Sequence, residues 1–152
     1  MRSIYTDTSV FGGYFDKEFD ADTRQFFEKV INDKITIIIS ETVVEELKTA
    51  PDNVRIFYES IPKEILKIVN TTDEIKVLAN KYIAANVLTE KHRADCRHIA
   101  AAVINNADIV VSWNFKHLVN YERKRGYNAI NYQENYKIID IVTPKEVFDY
   151  AK

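Results

Sequence analysis

The most chemically suggestive stretch of the chain is SIYTDTSVF, where a short apolar run ends at one acid and two hydroxyls. Asp7 supplies the carboxylate, and Thr8 and Ser9 follow it directly. Taken alone, an acid at this place most often ends a strand or caps a turn. The stretch gains a chemical meaning only if distant segments bring further polar side chains to Asp7.

Glu46 is the first candidate partner, on a helix predicted to follow Ser40. At about 100° per residue, Val43 and Leu47 define the buried face of that helix. Glu46 falls at the border of this face, whereas Glu45 points further towards solvent. Of the two neighbouring acids, Glu46 is therefore predicted to reach inward, although a solvated helix charge is the simpler interpretation of either.

Asp95 and Asn114 are the other two candidates. Asp95 lies at the rim of a predicted helix whose buried face includes Cys96 and Ile99, and His98 is predicted to point away from that face to the surface. Asn114 comes just after the apolar run IVVS. Each has a simpler alternative role, since Asp95 can pair with a neighbouring base at the surface and Asn114 can cap a short helix in SWNFKHL.

Together these side chains would form an all-oxygen ligand set. Clustered carboxylates raise each other's pKa unless a cation lies among them. Oxygen ligands without cysteine or histidine suit Mg²⁺ or Mn²⁺. Thr8 and Ser9 are predicted to support a ligand carboxylate or a water molecule from behind. The predicted metal ligands are Asp7, Glu46, Asp95 and Asn114.

The elements that must position these residues alternate between strands and helices. Apolar patterns predict strands over 3–7, 35–39, 109–112 and 138–142, helices over 22–32, 41–51, 53–60, 73–86 and 94–105, and a last helix starting at Pro144. Residues 65–69 fit no single element. Such alternation predicts an α/β fold with a mostly parallel sheet, in which sites form beyond the carboxyl ends of strands. Asp7 and Asn114 both follow a predicted strand.

Length and composition predict one domain over residues 1–152. The chain is 46% hydrophobic and 29% charged, as a folded protein requires. A net charge of −2 argues against coating nucleic acid by bulk attraction, but a bound cation could still recruit it locally. One cysteine, no long apolar run and no leader-like start predict a cytoplasmic protein without membrane contact.

Three blocks of the sequence resemble the signature blocks of PIN-domain proteins: DTSVF, ISETVVEEL and DCRHIAAAVINNADIVVSWNFKHL. The tail AINYQENYKIIDIVTPKEV is similar to the closing strand and helix of such proteins. The resemblance extends from Ser3 to about Val147 and is greatest to the VapC-like toxin ribonucleases of toxin–antitoxin pairs. The order and spacing of the blocks carry it more than any block alone.

The resemblance implies a three-layer sandwich with a central, mostly parallel sheet of about five strands. It implies an Mg²⁺- or Mn²⁺-dependent endoribonuclease, with Asp7, Glu46 and Asp95 as acidic ligands. Asn114 stands where the family often has a fourth aspartate. Ser9 and Ser112 match supporting polar positions. An RNA substrate, a cognate antitoxin protein and a homodimer are the partners that this family implies.

Basic residues flank two of the predicted ligands and could steer RNA to an acidic site. A charged run is usually a solvated face, so the prediction concerns the patch as a whole. Two alternatives remain open: a PIN nuclease of RNA maturation without an antitoxin, and a non-catalytic PIN-like domain that binds RNA or a protein. The predicted RNA-contact residues are Arg93, Arg97, Lys116, Arg123, Lys124 and Arg125.

Overall fold

The computed structural model describes residues 1–149, which contain five strands and seven α-helices. The strands are β1 (Ser3–Thr6), β2 (Thr36–Ser40), β3 (Leu66–Val69), β4 (Ile109–Val111) and β5 (Ile141–Val142). The helices are α1 (Thr8–Gly13), α2 (Asp20–Asn32), α3 (Glu41–Lys48), α4 (Asp52–Ser60), α5 (Asp73–Ala84), α6 (Arg93–Ile104) and α7 (Tyr121–Gln133). Single 3₁₀ turns lie at Lys63–Ile65 and Glu90–His92.

The five strands form one sheet in the order β3-β2-β1-β4-β5, and every pair is parallel. β1 is central, with Tyr5 level with Ile38 of β2 and Thr6 level with Val111 of β4. Continued beyond the strand end, this register sets Asp7 beside Ser40 on one side and Ser112 on the other. The sheet therefore gathers residues from three strands around Asp7 at its carboxyl edge.

Alternate strand residues serve two cores, one on each face of the sheet. One face packs Ile4, Ile37 and Ile109 against the apolar residues of α1 to α4. The other packs Tyr5 and Val110 against α5, α6 and α7. Helices thus cover both faces, and the predicted three-layer α/β fold with a parallel sheet of about five strands is confirmed.

Several element predictions were wrong in detail. The helix predicted to run to Pro51 ends at Lys48, and a new helix starts after Pro51, whose fixed φ suits a helix start. The last strand is only Ile141–Val142, and residues 144–149 form turns rather than a helix. Helices α1 and α7 were not predicted at all. None of the helices in the described part of the chain has the length and apolar character needed to span a bilayer.

Candidate active site

Asp7 occupies the centre of the carboxyl edge, between the end of β1 and the start of α1. The residue is only 5% exposed. The Ser9 hydroxyl donates a hydrogen bond to its Oδ1 at 2.6 Å, and the Ser112 hydroxyl donates to its Oδ2 at 2.7 Å. Each carboxylate oxygen keeps further acceptor capacity after these contacts. The two serines therefore orient Asp7 without neutralising it.

The same serines attach the loop after β4 to the site. The backbone N–H of Trp113 donates to Ser9 Oγ at 2.9 Å, and that of Asn114 donates to Ser112 Oγ at 2.9 Å. Each hydroxyl thus accepts from the loop while it donates to Asp7. A displacement of this loop would consequently disturb the orientation of the carboxylate.

Burial is the main cause that raises the pKa of Asp7 above its usual range, and the nearby Asp95 raises it further. The neighbouring His98 and the bonds from Ser9 and Ser112 act in the opposite direction. Within residues 1–149, no lysine or arginine forms an ion pair with Asp7. A buried acid beside a second acid, with no lysine or arginine paired to it, is an arrangement that a divalent cation would stabilise.

The raised pKa gives a testable dependence of stability on pH. Because the folded state favours protonated Asp7, this group's contribution is fully present below the ordinary value of 3.8 and is lost as pH rises through the raised pKa. We expect Asp7→Asn to raise the melting temperature of the metal-free protein near neutral pH, with a gain that shrinks in acid. Calorimetry of both proteins over a pH series measures this, and a constant difference at every pH would contradict it.

Glu46 is exposed on α3 but lies close enough to Tyr5 to act on it electrostatically. Burial raises the pKa of the Tyr5 phenol, and the carboxylates of Asp7 and Glu46 raise it further. Glu45 instead forms a surface ion pair with Lys48 at 2.9 Å. The two neighbouring glutamates of α3 therefore differ in surroundings, and Glu46 is the one whose charge, like that of Asp7, acts on Tyr5.

His98 was predicted to lie at the surface, and this was wrong. Its side chain is 4% exposed, and its Nδ1 forms a hydrogen bond of 2.7 Å with the Tyr5 hydroxyl. The helical wheel assumed one buried face, but α6 packs against α5 as well as against the sheet. His98 is consequently a buried polar group beneath Asp7.

Asp95 lies in the first turn of α6 and contacts a histidine that the sequence analysis did not consider. His117 Nδ1 is 3.0 Å from Asp95 Oδ2, with the two side chains 13% and 20% exposed. The ring of His92 lies against that of His117, with centroids 3.9 Å apart. Desolvation and the adjacent His117 lower the pKa of His92. The spacing could have revealed both histidines, since His92 precedes Asp95 by three residues and His117 follows Asn114 by three.

Asn114 caps a turn in this structure. Its Oδ1 accepts the backbone N–H groups of Lys116 at 3.2 Å and His117 at 2.9 Å. An amide oxygen has two lone pairs, and both are used here. Metal coordination by Asn114 stays a prediction, and it would require the amide to release one of these groups.

The residues present fit a divalent cation at the carboxyl edge. Asp7, Asp95 and Glu46 provide carboxylates, the ligands that Mg²⁺ and Mn²⁺ prefer. The hydroxyl of Thr8, next to Asp7 in the chain, is buried without a hydrogen-bond partner among the described residues. Such a hydroxyl is available to a metal-bound or bridging water. The carboxylates and this unsatisfied neighbour thus suit a hydrated hard cation.

The predicted RNA-contact residues do not form one patch. Arg93 pairs with Glu90 at 2.5 Å, and Arg97 lines a surface hollow with acidic residues of α3. Lys116 is exposed two residues after Asn114. The guanidinium of Arg123 donates to the carbonyl of Val87 at 2.6 Å.

Two further residues of that group lie apart from Asp7. Lys124 pairs with Asp140 at 3.1 Å and, with Arg125, lines a hollow that also includes Asp108. Asp108 and Asp140 directly precede β4 and β5, and therefore mark the amino edge of the sheet. The structure consequently does not bring Lys124 and Arg125 to the edge that carries Asp7.

Solved structures of two toxin–antitoxin proteins share the fold of this chain. It is similar in structure to the toxin VapC20 of Mycobacterium tuberculosis, described as cleaving the sarcin-ricin loop, with 12% identity, a TM-score of 0.56, and coverage of 74% of this chain and 91% of that one. It is also similar to a chain of VapBC2 from Rickettsia felis, bound there to a DNA fragment of its promoter, with 14% identity, a TM-score of 0.58, and coverage of 93% and 98%. At these identities the likeness establishes a shared fold. No curated protein sequence matches the chain significantly.

The sequence comparison with protein families is more specific. The family model described as PIN domain matches residues 4–116, which include Asp7, Glu46, Asp95 and Asn114. This match spans well over half of the chain. The protein therefore belongs to the PIN-domain family.

Proposed function

We propose that this protein is an Mg²⁺- or Mn²⁺-dependent endoribonuclease that hydrolyses phosphodiester bonds in RNA. The observation that carries the proposal is the buried Asp7 carboxylate: two serines orient it, burial and then Asp95 raise its pKa, and no lysine or arginine of the described chain pairs with it. An acid in this state contributes nothing to stability that a neutral residue would not. Its surroundings are those expected of a cation ligand.

The three acids would bind the cation from different positions. Asp7 and Asp95 would hold the cation, and Glu46 would complete the set from the rim of α3, directly or through water. The chemistry that such a cation would supply is activation of a water molecule for attack on phosphorus and neutralisation of charge on the phosphate oxygens. Ser9 and Ser112 keep Asp7 in one rotamer, so that the ligand is positioned before substrate binds.

The reaction does not need a side-chain nucleophile, and the single cysteine of the chain is unsuited to that role. Cys96 follows Asp95 directly but is buried in α6. Burial raises the pKa of its thiol to about 12. The thiol therefore stays protonated at neutral pH and serves as a packing group.

RNA would reach the carboxyl edge past a small number of basic side chains. Lys116 is exposed beside Asn114, and Arg97 projects from α6 near the acids of α3. Arg93 is held by Glu90 and would have to exchange that partner for a phosphate. We assign the phosphate contacts to these three residues and not to Lys124 or Arg125.

We further propose that the protein acts as the toxin of a toxin–antitoxin pair in the cytoplasm, as a homodimer. The support is the family membership and the structural likeness to VapC20 and VapBC2. A short reading frame overlapping the gene upstream, whose product binds and silences the nuclease, is the expected partner. Activity without any such partner would instead favour a nuclease of RNA maturation.

Glu46→Gln and Glu45→Gln form a matched pair that tests the proposed activity. Purified protein should cleave labelled RNA only with Mg²⁺ or Mn²⁺, and EDTA should abolish cleavage. Because the charge of Glu46 acts on Tyr5, as that of Asp7 does, while Glu45 pairs with Lys48, Glu46→Gln should lower the rate by about 10–100-fold and Glu45→Gln should not change it. Single-turnover assays on both variants measure this. Cleavage that survives EDTA, or equal losses in the two variants, would refute the proposal.

A further inference from the structure

Beside the predicted all-oxygen site, the structure holds a second group of potential ligands with different chemistry. His92, Asp95 and His117 each offer one ligand atom, and these atoms all lie within 4.8 Å of one another. The three side chains are partly exposed, so an ion could reach them from solvent. His92 comes from the 3₁₀ turn before α6, Asp95 from its first turn, and His117 from the loop after β4.

The backbone holds both histidines in place. The N–H of His117 donates to Asn114 Oδ1 at 2.9 Å, and its carbonyl accepts the Tyr127 hydroxyl at 3.0 Å. The N–H of His92 donates to the carbonyl of Thr89 at 2.9 Å. Asn114 and Tyr127 thus hold the backbone of His117 beside Asp95.

Two imidazoles and one carboxylate are the ligands of a borderline transition metal. Zn²⁺ binds histidine nitrogen and aspartate oxygen at about 2.0–2.2 Å, and three protein ligands plus water make a common zinc site. Mg²⁺ prefers oxygen ligands and gains little from imidazole. We propose that His92, Asp95 and His117 form a binding site for Zn²⁺ or a similar transition-metal ion.

Asp95 belongs to both sites, which has a consequence for activity. Its Oδ2 already lies 3.0 Å from His117, so a zinc ion here would take the carboxylate away from the Mg²⁺ or Mn²⁺ ligand set. Zn²⁺ also binds nitrogen and oxygen ligands more tightly than Mn²⁺. Zinc would therefore inhibit cleavage. This second step rests on the proposed nuclease function, whereas zinc binding itself does not.

The binding step is tested by titrating tag-free, metal-free protein with Co²⁺, whose visible spectrum reports imidazole coordination. We expect a saturable spectrum with one ion per chain. His92→Ala and His117→Ala should each weaken binding by about tenfold or more, and Glu45→Gln, on α3 in a surface ion pair with Lys48, should leave it unchanged. Circular dichroism confirms that each variant is folded, and His117→Gln replaces His117→Ala if the latter is not. The absence of a saturable spectrum, or binding unaffected by both histidine changes, overturns the site.

The inhibition step is tested by adding Zn²⁺ to Mn²⁺-supported cleavage. Wild type should be inhibited, and His92→Ala should require about tenfold more zinc for the same effect. Equal sensitivity of the two proteins overturns the competition for Asp95. If the wild type cleaves RNA with no metal at all, the proposed metal dependence fails; if it cleaves no RNA with Mn²⁺, the proposed nuclease function fails. In either case the Co²⁺ titration still decides whether the histidine site exists.

Discussion

Asp7→Asn should abolish metal-dependent RNA cleavage while leaving the protein folded. Asparagine keeps the shape of aspartate, and Ser9 and Ser112 can still contact it. It lacks the charge that holds the cation, and a bound metal ion supplies several kcal/mol of charge stabilisation in the transition state. At about 1.4 kcal/mol per factor of ten, the rate should fall on the order of a thousandfold.

The matched control is Asp33→Asn, the same change at the other edge of the sheet. Asp33 precedes β2 and pairs with Lys29 at the surface, at 3.0 Å. Single-turnover cleavage with saturating Mn²⁺ compares the two variants with wild type, and calorimetry shows whether each is folded. Strong cleavage by Asp7→Asn, or an equal loss in Asp33→Asn, would show that Asp7 is not a metal ligand.

Most of the sheet could be predicted from the sequence because its inner strands are buried on both faces, whereas the edge strand β3, with Lys67 and Ile68 exposed, left no clear pattern. The run ITIII and the run IVV consist of β-branched residues with no polar alternation, the pattern of a parallel sheet covered by helices. Asp7 could be placed at the carboxyl edge for the same reason. An apolar run that ends at a polar residue indicates both a buried strand and a candidate site residue at the end of that strand.

The remaining helices left weaker signals. α1 has only six residues, two of them glycine, which is too short for a helical period to appear. α7 carries many charges and buries mainly Tyr127 and Asn131, so its sequence suggested a basic patch rather than a packed helix. Its burial depends on a polar contact, the hydrogen bond from the Tyr82 hydroxyl to Asn131. No apolar pattern encodes such a contact.

The details of the site depend on packing between distant segments. His98 is buried at the interface between α6 and the sheet, where its Nδ1 forms a hydrogen bond with the hydroxyl of Tyr5, 93 positions away in sequence. His117 meets Asp95 because Asn114 turns the loop after β4 towards α6. Residue type and local period singled out Asp7, Glu46 and Asp95 as candidates for this edge. The neighbours of those acids are fixed by three-dimensional contacts that neither property records.

The adjacent glycines of α1 offer a test of how tightly the site is packed. A Cβ on Gly13 would lie 2.7 Å from Cδ1 and Nε1 of Trp113 and 2.9 Å from the hydroxyl of Thr23. The indole is held in place, since its Nε1–H donates to Thr23 Oγ1 at 2.9 Å and its ring stacks on that of Phe19 with centroids 4.1 Å apart. A Cβ on Gly12 would meet nothing within 4 Å.

Gly13→Ala and Gly12→Ala should therefore have opposite effects. Overpacking against Trp113 should cost about 1–3 kcal/mol, whereas alanine at Gly12 should gain up to about 1 kcal/mol from helix propensity. In a chain of this size each kcal/mol shifts the melting temperature by roughly 2–4 °C. The backbone N–H of Trp113 donates to Ser9 Oγ, and Ser9 in turn orients Asp7. Gly13→Ala should therefore slow cleavage as well. Melting curves and cleavage rates of both variants measure this. Equal melting temperatures would mean that the loop after β4 moves away from the added methyl group at no cost in stability, and that this loop does not hold Asp7 in place.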